Sequence, residues 1–435
     1  MRKQISLLFL VLVLTACQQT ETLPEEQKFG ANPKLPEPKK QLLPTVDIAP
    51  ATGWPDGEKP IAAKGLIVNA FASELDHPRW IYELPNGDIL VAESNAPPKP
   101  EGTKTGIKDI AMKVTMKIAG AGVPSANRIT LLRDADKDGV AEVKTEFLKG
   151  LYSPFGMALV GQEFYVANAN AIVKFPYQEG ETTISAKPET LVDLPAGINH
   201  HWTKNIIASR DGKYLYAAVG SNSNVGEKGM EIEKGRAAIH EVNIETGESR
   251  IFASGLRNPV GLAWQPNTEI LWTAVNERDE IGNDLVPDYM TSVKDGGFYG
   301  WPYSYFGDNV DVRIKPPRPD LVAKAIVPDY SLGAHTASLG LTFYEGSLLP
   351  QYSRGALVGQ HGSWNRKPPS GYKVVYIPFE NGKPSGLPQN VLTGFLNKKG
   401  KAMGRPVGVI ADQTGSILVA DDVGNIIWRV TKKVK

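Results

Sequence analysis

Arg257-Asn258-Pro259-Val260-Gly261-Leu262-Ala263-Trp264 leads into Glu269-Ile270-Leu271-Trp272-Thr273-Ala274-Val275. This stretch is a polar loop, a thin apolar strand, a turn and a second apolar strand. The same order recurs along the chain. His77-Pro78-Arg79-Trp80 leads into Pro85-Asn86-Gly87-Asp88-Ile89-Leu90-Val91-Ala92, and Ser153-Pro154-Phe155-Gly156-Met157-Ala158 into Phe164-Tyr165-Val166-Ala167-Asn168. Gly197-Ile198-Asn199-His200-His201-Trp202-Thr203-Lys204-Asn205 precedes Ile206-Ile207-Ala208 and Tyr214 to Gly220. Leu339 to Phe343 leads into Gly355 to Gly359, and Gly404-Arg405-Pro406-Val407-Gly408-Val409 into Gly415 to Ala420.

Six such units at irregular spacing predict an all-β chain folded as a six-bladed β-propeller. The irregular spacing implies insertions between blades. In each unit the polar residues precede the first, innermost strand, so these loops converge on one mouth of the central channel. His77, His201, Arg257, Asn258, Thr336 and Arg405 are thereby expected around one pocket. A seven-bladed propeller is the nearest competitor, because residues 96–130 could hide further strands.

The chain has 435 residues, enough for one large β domain or two ordinary ones. Its formal net charge of +1 gives no reason to expect nucleic acid as a partner. The 43 glycines and 33 prolines fall at regular turns, which favours many short strands over long helices.

The N-terminus differs from the rest. Met1-Arg2-Lys3 is basic, Ile5 to Leu14 is apolar and too short to span a membrane, and Leu14-Thr15-Ala16-Cys17 resembles a bacterial lipobox. Cys17 is the only cysteine, which suits an acylated anchor in a chain without disulfides; the alternative is an ordinary signal peptide with a chance cysteine. Gln18, in place of the Asp that retains a lipoprotein in the inner membrane, points to an outer membrane if the source is Gram-negative. The division expected is a signal peptide over 1–16, an acylated Cys17 with a flexible, disordered tether over 17–60, and a catalytic propeller over 61–435. The tether is rich in Pro, Glu, Lys and Gln, and would hold the folded domain off the membrane.

Two of the six histidines, His200 and His201, stand together before a strand, where an imidazole can face a pocket and take a proton. The alternative is that both rings cap the loop. Arg257, Arg405 and Arg366, the last within His361-Gly362-Ser363-Trp364-Asn365-Arg366-Lys367, supply cations whose convergence calls for an anionic guest. Asn276-Glu277-Arg278-Asp279-Glu280-Ile281-Gly282-Asn283-Asp284 offers hard oxygens of the kind calcium selects, or a run of solvated surface acids. Asp134-Ala135-Asp136-Lys137-Asp138-Gly139 opens like an EF-hand loop, but Thr145 holds the twelfth position, so a tight turn between strands is expected, with a structural calcium as the alternative. No Gly-rich phosphate cradle, paired zinc cysteines or G-x-S-x-G elbow is present.

With these words assembled, residues 65 to 432 resemble the sorbosone dehydrogenase and soluble aldose sugar dehydrogenase family. Its members are six-bladed propellers that bind pyrroloquinoline quinone (PQQ) and calcium. The resemblance rests on Asn199 to Asn205, Val219-Gly220-Ser221-Asn222-Ser223-Asn224, Leu256 to Pro259, Asn276 to Asp279, Gly297-Phe298-Tyr299-Gly300-Trp301-Pro302, and His361 to Arg366. It implies His201 as catalytic base and Arg257 as the residue polarising the quinone carbonyl. Asn222, Asn258, Thr336, Arg366 and Arg405 are implied as cofactor contacts. Calcium would take backbone carbonyls at Arg278 and Asp279 and the side chain of Asp284. His200 stands where glucose-type members carry Asp, as in sorbosone-type members. The implied activity is oxidation of a sugar or aldehyde by hydride transfer to the quinone, with electrons passing to an acceptor outside the chain. A lipid-anchored, periplasm-facing enzyme is the expectation. The rivals are a non-catalytic propeller binding a ligand or partner at the envelope, and a calcium-dependent lactonase.

Overall fold

The computed structural model describes residues 22–39, 45–101, 106 and 114–433. Six antiparallel sheets follow one another in the order of the six repeats. Their inner strands are Pro78–Glu83, Met157–Val160, Lys204–Ala208, Pro259–Trp264, Ser338–Phe343 and Pro406–Ala411. In blade 1, Pro78–Glu83 is followed outward by Ile89–Glu93, Arg128–Arg133 and Val143–Leu148.

Burial explains the composition of each strand. The second strand of blade 4, Leu271–Val275, is buried throughout, whereas the fourth strand of blade 2, Glu189–Asp193, has no buried residue. Inner strands are thin because their neighbours are close. A Cβ on Gly261 of blade 4 would lie 2.7 Å from the Leu339 carbonyl of blade 5, and one on Gly408 of blade 6 would lie 2.9 Å from the Arg79 carbonyl of blade 1. Glycine at these positions lets adjacent blades meet backbone to backbone.

The ring closes through an early segment. Leu66–Ala72 is the outermost strand of blade 6, pairing antiparallel with Ile426–Lys432. Between Glu93 and Arg128 the described residues form a single helical turn at 114–118 and no strand, so the seventh blade is absent there.

The described parts of the Pro-rich segment, one helical turn at Glu25–Lys28 included, are docked on the propeller. Phe29–Gly30 adds a fifth strand to blade 4 beside Tyr330–Ala334, and Ile61–Ala62 adds one to blade 5. The Trp54 indole donates to Asp421 Oδ2 at 2.7 Å and meets Phe395 and Trp428 edge to face. Outer strands present unpaired peptide groups, and a passing extended chain satisfies them. The supposedly free stretch therefore begins to be held at Leu23.

A chain starting at residue 61 should still unfold cooperatively, at a lower temperature than the full protein. One starting at residue 73, which lacks the closing strand, should show no cooperative transition. Calorimetry of the two truncations distinguishes them, and equal cooperativity would contradict the closure described.

Candidate active site

The His200-His201 pair lies in the loop that enters blade 3. The inner strand begins only at Lys204, so both rings stand on the loop before it and strand alternation does not separate them. Instead the rings meet edge to face with centroids 4.7 Å apart. His201 Nδ1 lies 2.9 Å from the Ser221 carbonyl, which can only accept, so Nδ1 carries the hydrogen and Nε2 keeps its lone pair. Burial first, then the charge of Arg257, pushes the His201 pKa well below the ordinary 6.5. The ring is neutral at pH 7. The same two causes lower His200 to about 4, although its ring is open to the mouth.

Ser221 also joins this loop to the next blade, because its N–H donates to the Arg257 carbonyl at 2.8 Å. The Arg257 guanidinium is 4% exposed and held by backbone: Nε donates to Asn224 O at 3.0 Å, and Nη1 to the Asn276 and Glu277 carbonyls at 3.3 and 2.6 Å. Nη2 donates to Asn224 Oδ1 at 3.0 Å and lies 3.6 Å from Asp279 Oδ2. Asp279 is shared with Asn365 Nδ2 at 2.7 Å and His335 Nδ1 at 3.1 Å. The other His335 nitrogen faces the Gly282 carbonyl at 2.9 Å. Acceptors on both sides require both ring hydrogens, so His335 is an imidazolium. Burial opposes this charge, but Asp279 outweighs it and the pKa is raised.

The facing wall comes from blades 5, 6 and 1, and much of it went unnoticed in the sequence. Asp422 binds Arg79 and His361 and lies 3.5 Å from His77 Nε2. Arg79 also reaches across the mouth to lie 5.7 Å over the Trp202 ring, next to His201. Arg405 stacks 4.9 Å from the Tyr372 ring and donates to the Ala49 carbonyl at 3.2 Å. The missed signal was Pro78-Arg79, a mirror of Arg405-Pro406. Asp422 itself carried none.

Other expected site residues are committed to protein partners. The Thr336 hydroxyl bonds Asp288 Oδ2 at 3.0 Å and Ser338 Oγ at 2.8 Å. Asn222 Nδ2 donates to the Ile232 carbonyl at 2.9 Å, and its Oδ1 accepts the His200 N–H at 3.3 Å. Arg366 pairs with Asp284 at 2.6 Å and also binds the Asn283 and Pro368 carbonyls.

Two of the three expected calcium ligands already have protein partners. Asp284 is filled by Arg366 and by the Leu23 N–H at 2.7 Å. The Asp279 carbonyl already accepts from Arg313 and Asn224. The Asp134 loop is the turn expected between Arg128–Arg133 and Val143–Leu148, its carboxylates capping the N–H groups of Gly139, Val140 and Ala135. Asp134, Asp136, Asp138 and Glu142 bring oxygens within 4.8 Å of one another.

PQQ, by contrast, suits what the mouth leaves open. Among the described residues, Asn258 Oδ1 and the Nε atoms of Arg405 and Arg79 are buried without partners, and the hydrogen bonds of the His201 ring are made by Nδ1. Three guanidiniums against two carboxylates, with His335 charged, favour a polyanionic guest. The space is tight: a Cβ on Gly220 would overlap Asn258 Oδ1 and lie 2.6 Å from His201 Cβ. Gly220→Ala should therefore destabilise the protein by about 1–3 kcal/mol and weaken binding of PQQ. Thermal unfolding and PQQ titration test this, and an unchanged variant would show that the contact yields freely.

Residues 123–294 and 322–433 match the TrAA12-like family. A protein of Borreliella burgdorferi described only as uncharacterized is 30% identical over 293 residues, 65% of this chain and 76% of its own. The pyrroloquinoline quinone-dependent pyranose dehydrogenase of Coprinopsis cinerea is 27% identical over 229 residues, 42% of this chain and 31% of that longer protein. The holo form of the PQQ domain of the Coprinopsis cinerea pyranose dehydrogenase superposes with a TM-score of 0.69 at 20% identity, covering 89% of this chain and 100% of that one. That likeness shows the shared fold, and the sequence match settles descent: the chain belongs to the TrAA12-like family.

Proposed function

We propose that the protein oxidises a sugar or an aldehyde at the channel mouth, with PQQ as cofactor and His201 as base. One observation carries the reading. The Ser221 carbonyl fixes the His201 tautomer and leaves the Nε2 lone pair free in the mouth beside Arg257. The PQQ-dependent pyranose dehydrogenase among the relatives supports it. When bound, the quinone supplies the acceptor for a hydride from the substrate carbon.

The chain's own residues do the rest. His201 Nε2 takes the proton of the substrate hydroxyl, or of an aldehyde hydrate, while Ser221 keeps the ring oriented as it becomes charged. Arg257, held by three carbonyls, is a preorganised cation for negative charge developing near it. Arg405 and Asn258, each with an unpartnered atom, would hold the polar edge of the cofactor.

The purified protein loaded with PQQ should reduce a dye with aldoses or aldehydes. His201→Ala should keep the quinone absorbance while turnover falls by about two to four orders of magnitude. Because the His201 pKa is lowered, the neutral base persists on acidification, and the acid limb of kcat should lie below the ordinary 6.5. Quinone binding without turnover in the unmodified protein would favour a binding propeller instead.

We also propose that Cys17, outside the described residues, anchors the chain to the cell envelope through acylation. Cys17→Ser should release folded protein from the membrane fraction. Retention of the variant through detergent-free washing would refute the anchor.

A further inference from the structure

Behind the two histidines, the wall of blade 3 buries two cations with no carboxylate paired to either among the described residues. Lys204, the first residue of the inner strand, is completely inaccessible. Its Nζ donates to the Trp202 carbonyl at 3.2 Å and to Asn199 Oδ1 at 3.4 Å. Arg236, 5% exposed, is fanned over four oxygens. These are the carbonyls of Gly220 and Pro195, both at 2.9 Å, that of Ala196 at 3.0 Å, and Asn199 Oδ1 at 2.6 Å.

Burying such groups is costly, and only the nearby charge of Glu233 partly offsets it for Arg236. Burial pushes Lys204 well down and Arg236 to about 10. An apolar side chain would fill the Lys204 position without that cost, so the amine is there for what it holds.

What both hold is Asn199. Its backbone is left-handed at φ +47°, its Oδ1 accepts from both cations, and its Nδ2 donates to the Ala169 carbonyl in blade 2 at 3.3 Å. His200, His201 and Trp202 form the arc between this hinge and the strand. Lys204 touches the arc at both ends, at Asn199 and at Trp202. Ser221 steadies the His201 ring itself, but the path of the backbone that presents the ring is braced from behind.

We propose that Lys204, acting with Arg236 through the Asn199 side chain, is the positioning residue that sets the His200-His201 arc so that His201 meets Ser221 with its Nε2 in the mouth. The inference rests on His201 being the base of the proposed oxidation. A neutral amine suffices for the task, because it still has two hydrogens for its two acceptors.

Two variants of the full-length protein test this. Lys204→Met removes the amine and keeps an unbranched chain of similar length. Asn199→Gly keeps the left-handed backbone available and removes the shared acceptor. Nitrogen-15 NMR of the histidine rings, without cofactor, should show His201 as a single Nδ1–H tautomer in the unmodified protein and as a tautomer mixture in each variant. With PQQ loaded, kcat should fall about ten- to a hundredfold with the sugar KM little changed, the cost of a misplaced but intact group. The double variant should be no worse than the singles, since both act through one contact. A folded variant of either kind that keeps the single tautomer and the unmodified rate overturns the proposal, as does full additivity in the double. If Lys204→Met does not fold, Asn199→Gly decides alone. If the loaded unmodified protein oxidises no sugar or aldehyde, the functional reading falls, and the tautomer measurement still decides the positioning role.

Discussion

The close contact of one inner strand with the next is the constraint on which the molecule depends. Gly261 and Gly408 admit the backbone of a neighbouring blade where a single methyl group would collide. That approach draws six strand entrances into a ring narrow enough for Arg79 of blade 1 to reach Trp202 of the blade 3 loop. Widen the ring by one side chain per blade and the walls could not share a guest. The site is thus a consequence of what the inner strands lack, and the chemistry sits in loops whose ends those strands fix.

A second regularity lies in how the cations are held. Arg257 bonds three peptide carbonyls and the Asn224 amide, and meets its one carboxylate only at 3.6 Å. Arg236 and Lys204 bond carbonyls and an amide oxygen, and Arg405 bonds the Ala49 carbonyl. Carbonyls orient a guanidinium without cancelling its charge, whereas a carboxylate would do both. Arg366 and Arg278 show the contrast, paired directly with Asp284 and Asp311 and lost to any ligand. Arginine therefore has two uses here: Arg257 and Arg405 are oriented by carbonyls with their charge left uncancelled, and Arg366 and Arg278 are tied to carboxylates.

This difference also explains what could be read in advance. The repeat and the blade count follow from local order, because strand entrances are local. Whether an arginine stays available does not. Arg366 is taken by an aspartate 82 positions away, and the Thr336 hydroxyl by Asp288, 48 positions away. Asp422 escaped notice because a lone acid after a strand has no pattern, and it acquires meaning only from His77, Arg79 and His361 in two other blades. Lys204 stands at a strand start, where nothing local signals its complete burial. The docked parts of the Pro-rich segment make a related point. Low hydrophobicity says that a segment cannot form its own core, not that it cannot lie along an existing one.

Docking of that segment alters the geometry of the proposed anchor. A tether free to residue 60 would have let the propeller drift far from a lipid surface. With Leu23 bonded to Asp284, only six residue steps separate Cys17 from the rim of the mouth, a reach of at most about 20 Å for extended chain. An acylated Cys17 would hold the blade 4 edge close to the membrane, with little freedom to turn the mouth away from it. The same rim carries Arg366, Asn365 and Asp279, so such an anchor would set the membrane beside the proposed ligand site. Substrate and electron acceptor would then reach the channel within the thin layer beside the lipid, and the docked segment, by way of Ala49 on Arg405 and Leu23 on Asp284, would form part of the wall they pass.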